Sequence, residues 1–315
     1  MRRLLSNKKV QLLLNGGLGL GLLAVSVFSA RHFMHAGWPL HHADPILVGG
    51  AAGLFLLAYA FKAWGWQRLF HEDDRPDASA LAFAGGAACV GGVAMPGRVD
   101  DAIRIACVRR FPGTRAKIGT IGLSLIILGL LDNAALAPLA SVAMADSSSW
   151  TVRLGFGVVA VAGVLAAGIV AFLPQFSRTR RVMRYRVGRW LGEHTQSRKE
   201  SLAALLLISV SWALRGTAVF LLLNALALRG SFPLALGFLC ASAASAAVPI
   251  GPAGAAMQAG AGATLLAFSG VPKADAIAFS VAAQAMVVVT GAAVILLVTA
   301  WHVAVRLRPR LAAAF

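Results

Sequence analysis

Arginines and aspartates set against apolar segments are the residues of this sequence that can do chemistry, and their pattern suits recognition of an anion. Arg98 and Arg104 flank Asp100 and Asp101 in the run Pro96 to Arg110, PGRVDDAIRIACVRR, which directly follows a glycine-rich apolar stretch. A guanidinium presents a planar fork of N–H donors that matches phosphate oxygens. A helix start adds free backbone N–H groups and the positive end of the helix dipole. Pro96, Gly97, Arg98, Asp101 and Arg104 are therefore the candidate headgroup site, with Asp100 and Asp101 offering the competing role of structural partners for the arginines. Asp132 and Arg215 lie deepest inside long apolar runs. Ionisable residues there are costly in lipid and face a polar pathway or each other. A buried Asp132–Arg215 ion pair is expected, at a position suited to a gate, and Asn133, Asn224, Gln258 and Gln284 are expected to line the same cavity.

Other chemistries have weaker footing. The run Asp73 to Asp77, DDRPD, has the spacing by which membrane prenyltransferases hold magnesium on a diphosphate. Carboxylates and phosphate oxygens suit that cation, so Asp73, Asp74 and Asp77 define a competing enzyme reading. A second aspartate-rich motif is missing, and Pro76 inside the run favours a solvated turn. His32, His35, His41 and His42 lack the cysteine or carboxylate company of a zinc site. Cys89, Cys107 and Cys240 are odd in number and lie in or beside apolar segments, as small packing residues do. No catalytic residue, metal site or cofactor is expected.

The elements that must position these residues are membrane spans. Of 315 residues, 58% are hydrophobic and 13% charged, and the mean hydropathy is +0.76. A soluble domain has a charged share near a quarter, so the chain reads as an all-α polytopic membrane protein. Its net charge of +17 would suggest nucleic acid in a soluble protein. Here Lys and Arg cluster in short loops between apolar runs, which is the positive-inside bias, and no nucleic-acid partner is expected.

A helix needs about 20 apolar residues to cross a bilayer. Six stretches qualify: Val10 to Ala30, Ile46 to Trp64, Ile118 to Val142, Val152 to Leu173, Leu202 to Leu228 and Ala276 to Val305. The first is long for a signal peptide and reads as an uncleaved anchor. Basic residues at and beyond the end of the second span (Lys62, Arg68), before the third and after the fourth place those loops in the cytoplasm, together with both termini. Leu81 to Met95 is then flanked by cytoplasmic charge on both sides and must dip in and return. By parity, Phe232 to Ser269 forms a second re-entrant hairpin from the outer face. Pro96 and Pro249 close the first arms, and Gly97, Gly251, Pro252 and Gly254 suit the reversals. The expected architecture is a single integral membrane domain: an N-terminal span in 1–45, a first repeat with an inner hairpin in 46–142, a connecting span and basic loop in 143–201, a second repeat with an outer hairpin in 202–305, and a basic tail in 306–315. Paired interrupted segments in an inverted-topology repeat are the sequence mark of a transporter site.

These residues carry a family resemblance. The Pro96 to Arg110 run resembles the Pro-Gly-Arg-x-Gly-Glu-x-x-Arg motif of the lysylphosphatidylglycerol synthase transmembrane-region family, also called flippase-like. Lys62 to Phe70, KAWGWQRLF, resembles its basic Trp-Arg-Leu-Leu stretch, Asp132 falls where its Glu-Arg-x-x-Asp motif ends, and Val248 to Gly260 resembles its Pro-x-x-Pro-Gly-Gly-x-Gly signature. The sequence departs at Asp100-Asp101, at Leu128-Gly129 and near Gln258, so it is a divergent member. The resemblance covers the flippase part, and lipid aminoacylation is not expected.

The resemblance implies a lipid flippase or lipid transporter in the bacterial cytoplasmic membrane. Its cargo is an anionic phospholipid, a polyprenyl-phosphate-linked lipid or a hopanoid-like lipid, and a homo-oligomer is open. Pro249, Gly251, Pro252, Gly254 and Gln258 form the second hairpin of the site. A scaffold for an envelope glycosylation complex is the non-transporting alternative.

Overall fold

The computed structural model describes residues 43–92, 99–177, 179, 183–228, 230–246 and 254–312, and ten α-helices account for nearly all of them. The expected first span, the four histidines, and Pro96, Gly97, Arg98, Pro249, Gly251 and Pro252 lie outside these residues.

In chain order the helices are α1 (Pro45–Gln67), α2 (Ala78–Gly92), α3 (Val99–Arg110), α4 (Ile118–Asp146), α5 (Trp150–Ser177), α6 (Arg186–His194), α7 (Arg198–Ala225), α8 (Phe232–Ala246), α9 (Gly254–Phe268) and α10 (Lys273–Ala312). Five of them, α1, α4, α5, α7 and α10, are long and apolar enough to cross a membrane. The chain is a multi-pass membrane protein. Down α5 a stripe of Trp150, Leu154, Val158, Val161, Leu165, Ile169, Phe172 and Phe176 is exposed at helical spacing, the face a bilayer would cover.

Local chemistry sets the helix ends. Asp44 caps α1, its Oδ1 accepting from the Ile46 amide at 2.8 Å, and Pro45 occupies the first turn where a missing N–H costs nothing. Ser197 and Glu200 open α7 in the Ser-x-x-Glu pattern of a capping box, with the Ser197 hydroxyl accepting from the Glu200 amide. Gly270, at φ +90°, ends α9: its amide donates to Ala267 O and that of Val271 to Leu266 O, a Schellman turn leading straight into α10. Ala227 makes the same turn after α7 at φ +55°, where a Cβ is disfavoured. Ala227→Gly is expected to raise stability by about 1 kcal/mol, readable as a higher melting temperature in detergent.

The order long, short, short, long occurs twice, in α1–α4 and in α7–α10. The packing follows that order. α1 packs along α7, α2 lies against α1 and against α10 of the other half, and α8 lies against α7 and against α4 of the other half. The two larger buried clusters reflect this exchange. One joins α1, α2, α4 and α5 to Trp212, Leu236 and Cys240, and the other joins α7, α8 and α10 to Ala51 and Phe55.

Candidate functional site

A cavity of about 720 Å³ opens where the two halves meet, lined from α1, α2, α3, α4, α7, α8, α9 and α10. Most of these helices turn polar or aromatic residues towards it. Tyr59, Lys62 and Trp66 lie on one face of α1, Asp132 and Asn133 on α4, Trp212 and Arg215 on α7, and Gln258 and Gln284 on α9 and α10.

On its wall Lys62 grips Asp132 with both carboxylate oxygens in reach, Nζ donating to Oδ1 at 2.9 Å and to Oδ2 at 2.8 Å. Trp212 Nε1 donates to the same Oδ1 at 2.8 Å. The Trp212 ring also attracts both cations: Lys62 Nζ lies 5.7 Å and Arg215 Cζ 5.2 Å from its centroid. Arg215 Cζ is 5.6 Å from the Tyr59 ring, and the Tyr59 hydroxyl donates to the Val287 carbonyl of α10 at 3.5 Å.

The expected Asp132–Arg215 ion pair is not formed; the carboxylate is held by Lys62 instead. The cause is rotational position. The charge pattern groups Lys62 with the cytoplasmic charges at the end of the second span, but Lys62 sits one turn before Trp66 on the inward face of α1, which continues to Gln67. Asp132 already accepts from an ammonium and an indole, while Arg215 lies over ring faces with no ion pair to any described residue.

Arg104 is engaged by its own helix, with Nη1 2.8 Å from Asp101 Oδ1 and 3.3 Å from Asp100 Oδ2. All three line the cavity, so the motif's described residues do reach the same space as Asp132 and Arg215. Gln258 and Gln284 also meet there, at 3.4 Å. Asn133 lines the wall but bonds Gly129 O of its own helix, and Asn224 does not line the cavity, its amide donating to Phe220 O. Gly254 starts α9.

Sequence reasoning does not single out Tyr59, Lys62 and Trp212 as site residues. The signal for them is a lysine one residue after an aromatic inside an apolar run, with Tyr59 and Trp66 on the same helical face. Asp73 and Asp74 belong instead to a short 3-10 turn, Glu72–Asp74, joining α1 to α2. Gln67 Nε2 holds the Pro76 carbonyl at 2.9 Å there, and none of Asp73, Asp74 and Asp77 lines the cavity. Among the described residues no group of three or more His, Cys, Asp or Glu is placed to hold a metal ion. The three cysteines are free.

The arrangement can hold a charged group at a junction between two halves, with aromatic faces to orient it and amides to hydrogen-bond it. The family model described as the lysylphosphatidylglycerol synthase TM region matches residues 12–308. No curated protein and no solved structure matches the chain.

Proposed function

The chain belongs to the lysylphosphatidylglycerol synthase TM region family, and from that premise we propose that it is a lipid flippase or lipid transporter carrying an anionic or polyprenyl-type lipid across the cytoplasmic membrane, with no catalytic step of its own. The observation that carries this reading is the charged cavity between the two halves. Ionisable groups between apolar spans mark substrate paths in membrane proteins, whereas a scaffold needs only dry packing of small residues. The twice-occurring helix order and its exchanged packing support an inverted repeat, in which α2–α3 and α8–α9 are re-entrant hairpins from opposite faces. In that topology both termini and the loops at Arg68, Arg110 and Arg184 are cytoplasmic, and Asp146 and Lys273 are external.

Two measurements test the proposal. Purified full-length protein in liposomes should expose an inner-leaflet fluorescent phosphatidylglycerol to an external quencher faster than protein-free liposomes do. Equal rates, repeated with a polyprenyl phosphate probe, would remove the transport reading and favour the scaffold. In intact cells, single cysteines at positions 146 and 273 should react with an impermeant reagent and one at position 110 should not. Reaction at position 110 would overturn the inner hairpin.

A further inference from the structure

Resting on the lipid-transport reading, we propose that Arg215 is the receptor of the cavity for a headgroup bearing one phosphate, and that Lys62–Asp132 is the strut that holds its aromatic seat. Three cations of described residues line the cavity, and two are already occupied: Lys62 by Asp132, and Arg104 by Asp100 and Asp101. Arg215 is different. Among the described residues it has no ion pair and no hydrogen-bond acceptor, and its Nε is buried without a partner. A buried donor left unmade is costly, and ring faces draw a guanidinium without accepting the hydrogen bonds of its edge.

Trp212 and Tyr59 hold the Arg215 guanidinium by their rings. Both rings are themselves fixed, Trp212 through Nε1 to Asp132 and Tyr59 through its hydroxyl to Val287 O. The donor fork of Arg215 is thereby presented to the cavity with little conformational freedom left to lose, which suits two oxygens of a phosphate. One free positive charge matches one phosphate ester. A diphosphate carries more charge than Arg215 balances and would share the cavity with Asp100 and Asp101. The headgroup of a lipid and free inorganic phosphate share this chemistry, and the test separates them.

The experiment is native mass spectrometry of the full chain in detergent, titrated with phosphatidylglycerol, with a parallel binding measurement for radiolabelled inorganic phosphate. Arg215→Gln should lower phosphatidylglycerol affinity at least about tenfold, the loss of one charge-assisted contact. Arg215→Lys, which keeps the charge and loses the fork, should fall between the two and serves if the glutamine variant fails to fold. Arg153→Gln on α5, away from the cavity, should bind as the parent does. Unchanged lipid affinity in both Arg215 variants overturns the site, even where translocation is observed. Arg215-dependent binding of inorganic phosphate with no lipid binding supports the site while refuting the lipid-transport reading. Tighter retention of a polyprenyl diphosphate than of phosphatidylglycerol overturns the single-phosphate assignment.

Discussion

Asp132→Asn is expected to destabilise the protein by up to about 3 kcal/mol, the lower end of the scale for removing one partner of a buried ion pair, since this pair is partly buried. Lys62 Nζ loses a carboxylate that it meets at 2.8 and 2.9 Å, and its own side chain is only 19% exposed, so water replaces the lost partner poorly. An asparagine oxygen still accepts from Trp212, and the loss is therefore chiefly the ammonium's. Lys62→Gln should cost a similar amount by orphaning Asp132. The double variant should be milder than the sum, since no unpaired charge is left. Thermal unfolding of the four proteins in one detergent measures this coupling. The corresponding cycle between Asp132 and Arg215 should give the smaller coupling, because those residues meet only through the Trp212 ring. Strict additivity of Lys62→Gln and Asp132→Asn would show that the observed pair has no energetic role.

Gly86→Val should be comparably damaging, for a steric reason. A Cβ at Gly86 would lie 2.6 Å from the Gly291 carbonyl oxygen and 3.2 Å from Ile295 Cγ1. The near atom is backbone of α10 and cannot rotate aside, so α2 must move off the helix from the other half that it packs against. Overpacking of this kind costs about 1–3 kcal/mol, and a β-branched side chain lies at the upper end. The expected readout is a lower melting temperature and weakened lipid binding together, since α2 also carries Gly85, Cys89 and Gly92 of the cavity wall. Gly168→Ala on α5, where an added Cβ meets nothing within 4 Å, should be neutral or mildly stabilising. Equal tolerance at positions 86 and 168 would show that the α2–α10 approach is not a constraint.

Both predictions fall on residues that the sequence treats unevenly. Gly86 belongs to a glycine-rich run that reads equally as a hairpin signal and as a small-residue packing face, and the structure shows the packing role in atomic terms. Asp132 stands out in the sequence as a charge within a span, but its partner does not. Lys62 looks like an ordinary positive charge at a span's end, because hydropathy marks where a helix leaves the apolar phase and is blind to which way a side chain faces. The Arg104 ion pairs are local, at three and four residues along one helix, and so could be anticipated from Asp100 and Asp101 directly.

The sequence by itself determined that the chain is helical and membrane-embedded, where most helices start and stop, and that two interrupted segments occupy matching places. Those features depend on local quantities: apolar length against bilayer thickness, proline and glycine at breaks, and side-chain caps such as Asp44 and Ser197. Only the tertiary structure decided that Lys62 pairs with Asp132 across 70 residues, that Trp212 joins them from 80 residues away, and that Arg215 lies over Tyr59 and Trp212. Partner choice depends on how each helix is rotated about its axis and which helix of the other half it meets. With each residue turning about 100° along a helix, the rotation of α1 decides whether Lys62, close to the span's end, faces water or the cavity.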